Sequence, residues 1–486
     1  MSHEILNLEP KEVWKHFYSL TQIPRPSKHE DKIQEFMVNW GKSLGLETIK
    51  DEVGNVIIKK PATAGMENRK GIVLQGHLDM VPQKNSDTVH DFVTDPIQPY
   101  IDGEWVKAKG TTLGADNGIG VAAAMAVLAS TTLQHGPIEA LFTSDEETGM
   151  TGAFGLKSGL LNGDILINVD SEDEGELYIG CAGGIDASIK FTFNPETVAS
   201  HVKAYKLSVK GLKGGHSGLD IILGRANSNK LLFRFLKFAS KQYGMRMFDV
   251  LGGSLRNAIP RESFASVVVP SDKAAEFEAS VKEFEAIFYK EYHVSEPDLK
   301  FFCSEAKMPE TTMDLDTQTR LINAIYACPN GVMRMSDDMI GMVETSNNLA
   351  IVKMTGNAVT VASLLRSSVE TAKDALGEMV CSVFELAGAE VKLEGGYPGW
   401  KPNPNSEILT LMQDVYNKKF GRIPEIKAIH AGLECGLLGS VYPHWDMISF
   451  GPTMRFPHSP DEKLKIDTVE KFWIFLTETL KAAPVK

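Results

Sequence analysis

Cysteine is scarce in this chain of 486 residues, and no two cysteines lie close enough to suggest a pair. They stand at Cys181, Cys303, Cys328, Cys381 and Cys435, without any Cys-x-x-Cys motif. Disulfide-stabilised scaffolds and zinc sites built from thiolates both need paired or clustered cysteines. The sequence therefore excludes both classes, and we expect reduced, mostly buried thiols.

Long apolar runs and an excess of positive charge are also missing. No window of about 18 residues is continuously apolar, and the opening MSHEILNLEPKEVW lacks the basic and then apolar pattern of a secretory signal. With 63 Asp and Glu against 50 Lys and Arg, the formal net charge is -13, which opposes binding to nucleic acid and to anionic membranes. We therefore expect a cytoplasmic protein without a nucleic-acid or membrane partner.

The remaining composition is that of a globular protein with more than one domain. Hydrophobic residues make up 43% of the chain and charged residues 23%, which is ordinary for a folded protein. A chain of 486 residues exceeds a single hydrophobic core of usual size. Length therefore predicts two to three domains.

The first part of the chain has the pattern of an α/β domain. Short apolar runs such as GIVLQGH, IEALFTS and DILINVD alternate with helical patterns such as GIGVAAAMAVLAS. Continuous apolar runs of this length are typical of strands that are covered on both faces. The same pattern returns at the end of the chain, in IKAIHAG and MISFGPT and in helices predicted from Ser406 and Asp467.

Between these parts lies a region of longer amphipathic helices and alternating strands. The spacing predicts helices at 227–243, 273–292, 316–326 and 369–386, with strands at AYKLSVKG and VTVASLLRS. This pattern indicates an α+β insertion. We therefore predict one domain at 1–186 and 395–486, interrupted by a second domain at 187–394.

A helix is predicted near the start of the chain. Ser27 followed by Glu30 has the spacing of a capping box, in which the two side chains bond to backbone N–H groups at the start of a helix. Apolar residues then recur at helical spacing, which predicts a stripe that faces a core. This stripe comprises Ile33, Phe36, Met37, Trp40 and Leu44.

Acidic and histidine residues follow the predicted strands again and again. They are His77, Asp79, Asp116, Glu146, Glu147, Asp170 and His458. In open α/β sheets, ligands gather at the carboxyl ends of the strands. Imidazole and carboxylate groups together suit zinc, and a carboxylate can bridge two metal ions.

Each of these residues alone has an ordinary structural explanation. A His-x-Asp sequence occurs by chance, an acidic pair is commonly a solvated surface, and Asp116 before Asn-Gly fits a turn. Asp170 and His458 fit loop or capping residues. Their recurrence after successive strands is what indicates a site, because burying several carboxylates together is unfavourable unless cations compensate them.

Longer stretches make the chain resemble a known family along its whole length. They include IQPYIDGEWVKAKGTTLGADNGIG, LDMVPQKN, KGLKGGHSG, LRNAIPRE, HAGLECGL and GPTMRFPHSPDE. The chain is similar to the bacterial aminoacyl-histidine dipeptidases, within the larger group of co-catalytic zinc exopeptidases and amidohydrolases. The resemblance implies a three-layer α/β catalytic domain with a mixed sheet, interrupted by an α+β lid domain.

The resemblance also implies a role for each of these residues. Asp116 would bridge two Zn²⁺ ions, His77 and Asp170 would complete one metal shell, and Glu147 and His458 the other. Glu146 would be the general base for a metal-bound water, and Asp79 would orient His77. A cis peptide bond between Asp116 and Asn117 is implied as well.

Four further residues receive roles from the resemblance. His216 would stabilise the tetrahedral oxyanion, Asn257 and Arg366 would hold the substrate carboxylate, and Glu434 would neutralise the substrate amino group. Arginine suits that task because its guanidinium can pair with a carboxylate in two places. Without the resemblance, a histidine flanked by glycines or an arginine on a strand fits an ordinary loop or surface residue.

Some alternatives stay open at this stage. The chain could be an amidohydrolase that acts on N-acyl amino acids, or a peptide-binding protein that has lost its chemistry, although Glu146 argues against the latter. Mn²⁺ or Co²⁺ could replace Zn²⁺ at sites rich in oxygen. We expect small dipeptides such as β-alanyl-histidine as substrates, and a homodimer is possible.

Overall fold

The computed structural model describes residues 2–486 of the chain. The chain divides into two compact units. The first comprises Met1–Gly180, Pro402–Ala428 and Leu433–Lys486, and the second comprises Cys181–Lys401 and Ile429–Gly432. The chain therefore passes between the units four times, after Gly180, Lys401, Ala428 and Gly432.

A mixed eight-stranded sheet forms the centre of the first unit. In spatial order its strands are Glu47–Lys50, Val56–Lys60, Ile138–Thr143, Ile72–His77, Ile165–Asn168, Asp446–Ser449, Glu176–Cys181 and Glu425–Ile429. Strand Ile72–His77 is parallel to both of its neighbours, and Asp446–Ser449 is parallel to Ile165–Asn168. The carboxyl ends of four strands therefore meet at one edge of the sheet.

The central strands are covered on both faces, as the sequence predicts. All residues of Ile72–His77, Ile138–Thr143 and Ile165–Asn168 are buried. Because successive side chains of a strand point to opposite faces, complete burial means that both faces of the sheet are packed.

Helices supply this cover. In the first unit they are Lys11–Thr21, Asp31–Ser43, Ala115–Ala129, Glu146–Gly149, Thr151–Gly155, Glu407–Phe420, Glu434–Val441 and Ile466–Ala482. Helix Ala115–Ala129 consists mostly of alanine, glycine and valine, is buried from Asn117 to Leu128, and packs against strand Ile72–His77. A helix that is apolar on all sides has to be buried on all sides, which explains its central place.

A small antiparallel sheet lies beside this core within the first unit. Its strands, in order, are Met454–Arg455, Lys463–Lys465, Trp105–Ala108 and Pro99–Asp102. The loop between the first two of these strands carries His458.

The second unit is built on a nine-stranded sheet whose paired strands are antiparallel. In order these are Lys300–Glu305, Val202–Lys210, Ser263–Pro270, Arg246–Gly252, Val343–Thr355, Ala358–Ser367, Gly183–Thr192 and Glu390–Tyr397, with Gly331–Met335 also paired to Val343–Thr355. Two short pairs accompany it, namely Pro195–Thr197 with Thr311–Met313 and Gly215–His216 with Ala258–Ile259. Its helices are Ser228–Tyr243, Ala274–Tyr292, Leu315–Ala327 and Glu370–Leu386. The four predicted helices are thus confirmed, each to within one residue at either end.

The predicted capping box at Ser27 is wrong. Helix Asp31–Ser43 begins after Glu30, whose side chain makes no capping hydrogen bond, and the Ser27 hydroxyl instead donates to the Asp79 carboxylate at 2.8 Å. A long-range acceptor therefore takes the hydroxyl that the local pattern assigns to the helix. The apolar stripe is right at Ile33 and Met37, which are buried, whereas Leu44 follows the last helical turn and is exposed.

Burial of the cysteines is mixed. Cys181, Cys328 and Cys435 are buried, while Cys303 and Cys381 are half-buried. Across residues 2–486, none of the helices has both the length and the apolar character needed to cross a membrane.

Candidate active site

Three neighbouring strands bring candidate residues to one edge of the first unit's sheet. His77 is the last residue of its strand, Glu146 and Glu147 start the short helix after Ile138–Thr143, and Asp170 follows Ile165–Asn168. These strands are parallel and adjacent, so their carboxyl ends coincide. The strand pattern alone therefore accounts for this part of the cluster.

Asp116 lies between two imidazoles. It stands in the first turn of helix Ala115–Ala129, and this helix begins directly after Gly114, whose φ of 69° is left-handed. Its Oδ1 lies 3.1 Å from His77 Nε2, and its Oδ2 lies 3.2 Å from His458 Nε2. The peptide bond between Asp116 and Asn117 is cis, as predicted.

Two sets of possible metal ligands share the carboxylate of Asp116. One set is His77, Asp116 and Asp170, the other is Asp116, Glu147 and His458, and within each set the ligand atoms lie within 4.8 Å of one another. The five residues thus come together as the sequence analysis expects. Imidazole and carboxylate donors in this arrangement are the ligands that zinc prefers.

The electrostatics of the cluster show a shortage of positive charge. Hydrogen bonds to Asp116 and Glu147 raise the pKa of His458 to about 11. Burial alone would lower the pKa of His77, but Asp170, Asp116 and Asp79 raise it well above its usual value. Burial raises the pKa of Asp170 well above the usual range of a carboxyl group. A cluster in which neighbouring carboxylates raise the pKa of both imidazoles and burial raises that of a carboxyl is one that cations would stabilise.

An unpaired oxygen also favours a cation. Glu147 Oε1 is buried without a hydrogen-bond donor among the residues described, while Oε2 of the same carboxylate lies 2.9 Å from His458 Nε2. A buried carboxylate oxygen without a partner is costly. A metal ion at this position would satisfy it, so the residues present fit a divalent cation.

Asp79 is held by several donors and contacts His77. Its carboxylate accepts hydrogen bonds from the Ser27 hydroxyl and from the backbone N–H groups of Glu146 and Glu147, at 2.8, 3.0 and 3.2 Å. Its Oδ1 lies 3.3 Å from His77 Nδ1. Burial alone would raise the pKa of Asp79, but these contacts lower it to about 2. Asp79 is thus a carboxylate fixed by three donors and in contact with the His77 ring.

Glu146 lies next to the ligand sets without belonging to the two that share Asp116. Its carboxylate falls within 4.8 Å of ligand atoms of His77 and Glu147. Burial, together with the charges of Asp170, Glu434 and Glu147, raises its pKa well above the usual value. A buried carboxylate whose pKa is raised, beside a ligand cluster, is a candidate for proton transfer.

Glu434 belongs to a buried polar network between the strands. Its Oε2 accepts hydrogen bonds from Gln75 Nε2 at 2.6 Å and from the Thr143 hydroxyl at 2.7 Å, and Gln75 Oε1 accepts one from Asn168 at 2.6 Å. Its Oε1 has no partner in the described part of the chain. Burial raises the pKa of Glu434 to about 7. One of its two oxygens is therefore structural, and the other is open to a further donor.

The second unit brings its own predicted residues together. His216 Nδ1 accepts hydrogen bonds from the backbone N–H groups of Gly218 and Leu219, which leaves Nε2 of the same ring for other contacts. Asn257 is exposed, and its backbone carbonyl accepts a hydrogen bond from the N–H of Ser217. The buried Arg366 donates through Nε to the Ser217 hydroxyl at 3.4 Å, so Ser217 contacts the other two segments.

His430 of the second unit is a further buried histidine, which no sequence pattern singled out. Its ring is buried, Nε2 lies 2.7 Å from the Ser346 hydroxyl, and burial together with the charges of Arg366 and His216 lowers its pKa to about 3. The local sequence feature that could have pointed to His430 was its place in the HAGLECG stretch. Two buried charges of the first unit, Arg25 and Glu462, were missed as well, because a single charged residue in a sequence is usually a surface residue.

Comparisons with known proteins identify relatives that match the chain over most or all of its length. The model of the peptidase family M20/M25/M40 matches residues 73–482. The cytosol non-specific dipeptidase of Escherichia coli is 49% identical over 483 residues, covering 99% of this chain and all of the relative. The crystal structure of an aminoacylhistidine dipeptidase from Vibrio alginolyticus is 51% identical and superposes with a TM-score of 0.96 over the full length of both chains.

A more distant structure shares the fold. The aminopeptidase PepT of Bacillus cereus is 16% identical, with a TM-score of 0.61, and the match covers 98% of this chain and 99% of PepT. The predicted mixed α/β fold is confirmed by these superpositions. Because the family model spans most of the chain and the relatives match it from end to end, the chain belongs to the peptidase family M20/M25/M40.

Proposed function

We propose that this protein is a dipeptidase that hydrolyses the single peptide bond of small dipeptides, with two Zn²⁺ ions as its cofactor. The observation that carries the proposal is the pair of ligand sets that share Asp116 beside Glu146. The printed names of the two full-length relatives, a cytosol non-specific dipeptidase and an aminoacylhistidine dipeptidase, support dipeptides as the substrate class. The name of the second relative favours Xaa-His dipeptides, among which we propose β-alanyl-histidine, and the name of the first favours a cytoplasmic location.

The proposed metal ligands follow the two sets. His77 and Asp170 would hold one ion, Glu147 and His458 the other, and Asp116 both. Two divalent cations held by these residues would supply Lewis-acid chemistry, which would polarise the scissile carbonyl and make a water molecule more acidic. Mn²⁺ or Co²⁺ remains a possible substitute, since such ligands also accept these ions.

The protein's own groups would carry the proton. Glu146 takes a proton from the attacking water and then gives it to the departing amine, which is a transfer within the reach of one carboxylate. Asp79 keeps the His77 ring in place from a distance of 3.3 Å. His216, Asn257 and Arg366 are proposed to stabilise the oxyanion and to bind the substrate carboxylate, and Glu434 to bind the substrate amino group.

Metal analysis tests the cofactor. We expect two zinc ions per chain in the purified protein, loss of β-alanyl-histidine hydrolysis after dialysis against a chelator, and recovery of activity when Zn²⁺ is returned. Circular dichroism of the metal-free protein serves as the control, because loss of activity supports the cofactor only if the chain stays folded. Full hydrolysis by a protein freed of metal would contradict the proposal.

A blocked substrate tests recognition of the amino group. We expect the free dipeptide to be cleaved with a kcat/KM at least about 10² times that of its N-acetylated form, because a buried acidic group left without its partner is costly. Glu434→Gln should lower the ratio of kcat/KM for the free dipeptide to kcat/KM for the N-acetylated form. In that variant the amide oxygen can replace Oε2, which holds Gln75 and Thr143, while the amide nitrogen replaces the unpartnered Oε1.

A preference for the N-acetylated dipeptide over the free one would contradict the proposed dipeptidase activity. If the acetylated form were cleaved better than the free dipeptide, the protein would be an amidohydrolase acting on N-acyl amino acids. Thr143→Val is the matched control for Glu434→Gln, since it removes from the same network a hydroxyl that donates to Glu434 and accepts from Gln75, and leaves the carboxylate charge.

A further inference from the structure

One buried carboxylate binds the whole backbone turn that presents Asp116. We call residues 113–116 the ligand turn. Glu462 Oε2 accepts hydrogen bonds from the N–H groups of Leu113 and Gly114 at 2.7 and 3.0 Å, and Oε1 accepts those of Ala115 and Asp116 at 2.7 and 3.3 Å. Only 1% of Glu462 is exposed. Four successive backbone donors therefore converge on one side chain from another part of the sequence.

A buried guanidinium holds the same turn through its carbonyl side. Arg25 donates through Nη2 to the Gly114 carbonyl at 2.5 Å, and through Nη1 to the carbonyls of Leu78 and Asp79 at 2.8 and 2.9 Å. It is 2% exposed. Arg25 thus joins the ligand turn to the segment that directly follows His77.

The neighbouring backbone leaves room for this guanidinium. A Cβ atom on Gly118 would lie 2.5 Å from Arg25 Nη2, so no larger residue fits there without displacing the arginine. Gly118 belongs to helix Ala115–Ala129, which begins at the ligand turn. The helix, the turn and Arg25 are therefore packed as one body.

The chemistry of Glu462 explains why a neutral residue would not replace it. A carboxylate has two acceptor oxygens and can take four N–H donors, whereas an amide offers one oxygen and places an NH₂ group against the other donors. Hydrogen bonds to a charged acceptor are also stronger than those to a neutral one. Burying a charge in this position has a large cost, which only the full set of donors offsets.

We propose that Glu462 and Arg25 are positioning residues that fix the Asp116 carboxylate so that both ligand sets close on their cations. Asp116 has to keep Oδ1 near His77 and Oδ2 near His458 at the same time, at 3.1 and 3.2 Å. If the ligand turn could rotate, the Asp116 carboxylate would keep its contact with one imidazole and lose its contact with the other. This inference rests on the proposed function, because it assigns the turn a role in metal binding.

Glu462→Gln tests the inference through metal affinity. Zn²⁺ is titrated by calorimetry into the full-length protein after chelation, and the variant is expected to bind 10 to 100 times more weakly than wild type, as is typical when groups behind metal ligands are changed. kcat should fall while KM changes little. Hydrogen exchange at the backbone amides of the ligand turn should become faster.

The matched control is Glu139→Gln. Glu139 is also buried, and its Oε2 accepts hydrogen bonds from the N–H groups of Asn162 and Gly163 at 2.7 and 2.9 Å, but it lies at the opposite end of strand Ile138–Thr143. This variant should lose thermal stability and keep wild-type zinc affinity. If Glu462→Gln does not fold, Glu462→Asp, which keeps the charge but is one methylene shorter, is measured in the same way.

The outcomes separate the inference from the function on which it rests. Wild type that binds two zinc ions and cleaves dipeptides, together with a Glu462 variant of unchanged zinc affinity, would overturn the inference alone. Equal losses of affinity in the Glu462 and Glu139 variants would also overturn it, since the effect would then be one of stability. Wild type without zinc binding or hydrolysis would overturn both.

Discussion

Replacing Glu146 by glutamine is expected to lower kcat for β-alanyl-histidine by a factor of about 10² to 10⁴, the usual contribution of a positioned proton transfer. The amide has nearly the shape of the carboxylate but cannot take up the proton of the attacking water. Both zinc ions should remain bound, because Glu146 is not among the residues of the two ligand sets that share Asp116. Steady-state kinetics with metal analysis of the same sample measures both effects.

The neighbouring residue provides the control. Glu147→Gln should reduce the zinc content, because Glu147 belongs to the set with Asp116 and His458. The two adjacent variants therefore separate proton transfer from metal binding. Unchanged turnover in Glu146→Gln would show that another group is the base, and loss of zinc from that variant would show that Glu146 is a ligand.

The second large effect is expected from Asp116→Asn. The change removes the negative charge that both ligand sets share, so zinc content should fall from two ions per chain to at most one, and hydrolysis should be abolished. Ligands that bind only the folded state raise its thermal stability. Addition of Zn²⁺ should therefore raise the melting temperature of wild type and have little effect on the variant.

Asp164→Asn is a suitable control for Asp116→Asn. Asp164 accepts a hydrogen bond from the N–H of Gly71 at 3.1 Å and lies directly before strand Ile165–Asn168, at the edge away from the cluster. The Asp164→Asn variant should keep two zinc ions per chain, and added Zn²⁺ should still raise its melting temperature. A variant at Asp116 that still binds two ions would remove the shared carboxylate from the proposed mechanism.

The residues of the cluster could be predicted because their pattern is local. His77, Glu146 and Asp170 each follow an apolar run, and the rule that ligands gather at the carboxyl ends of strands needs no tertiary information. The helices of the second unit were predictable for the same reason, since apolar spacing and caps such as Asn227, which accepts the N–H of Lys230, lie within a few residues.

Other features depend on contacts that no local pattern contains. Ser27 has the spacing of a cap, yet its hydroxyl is taken by Asp79, 52 residues away. Glu462 is one acid among 63 acidic residues, and only the folded chain brings it to the four N–H groups of the ligand turn. The order of the central sheet could not be predicted either, because strand Asp446–Ser449 inserts between two strands that are consecutive in sequence.

The polar network around Gln75 has a consequence for protein engineering. Gln75 is buried within strand Ile72–His77 and contacts Asn168, Thr143 and Glu434, so a random change at any of these positions leaves several partners unsatisfied. Libraries that aim at new specificity should leave these four positions unchanged. Diversity is better tolerated at exposed positions such as Asn257, whose side chain is accessible.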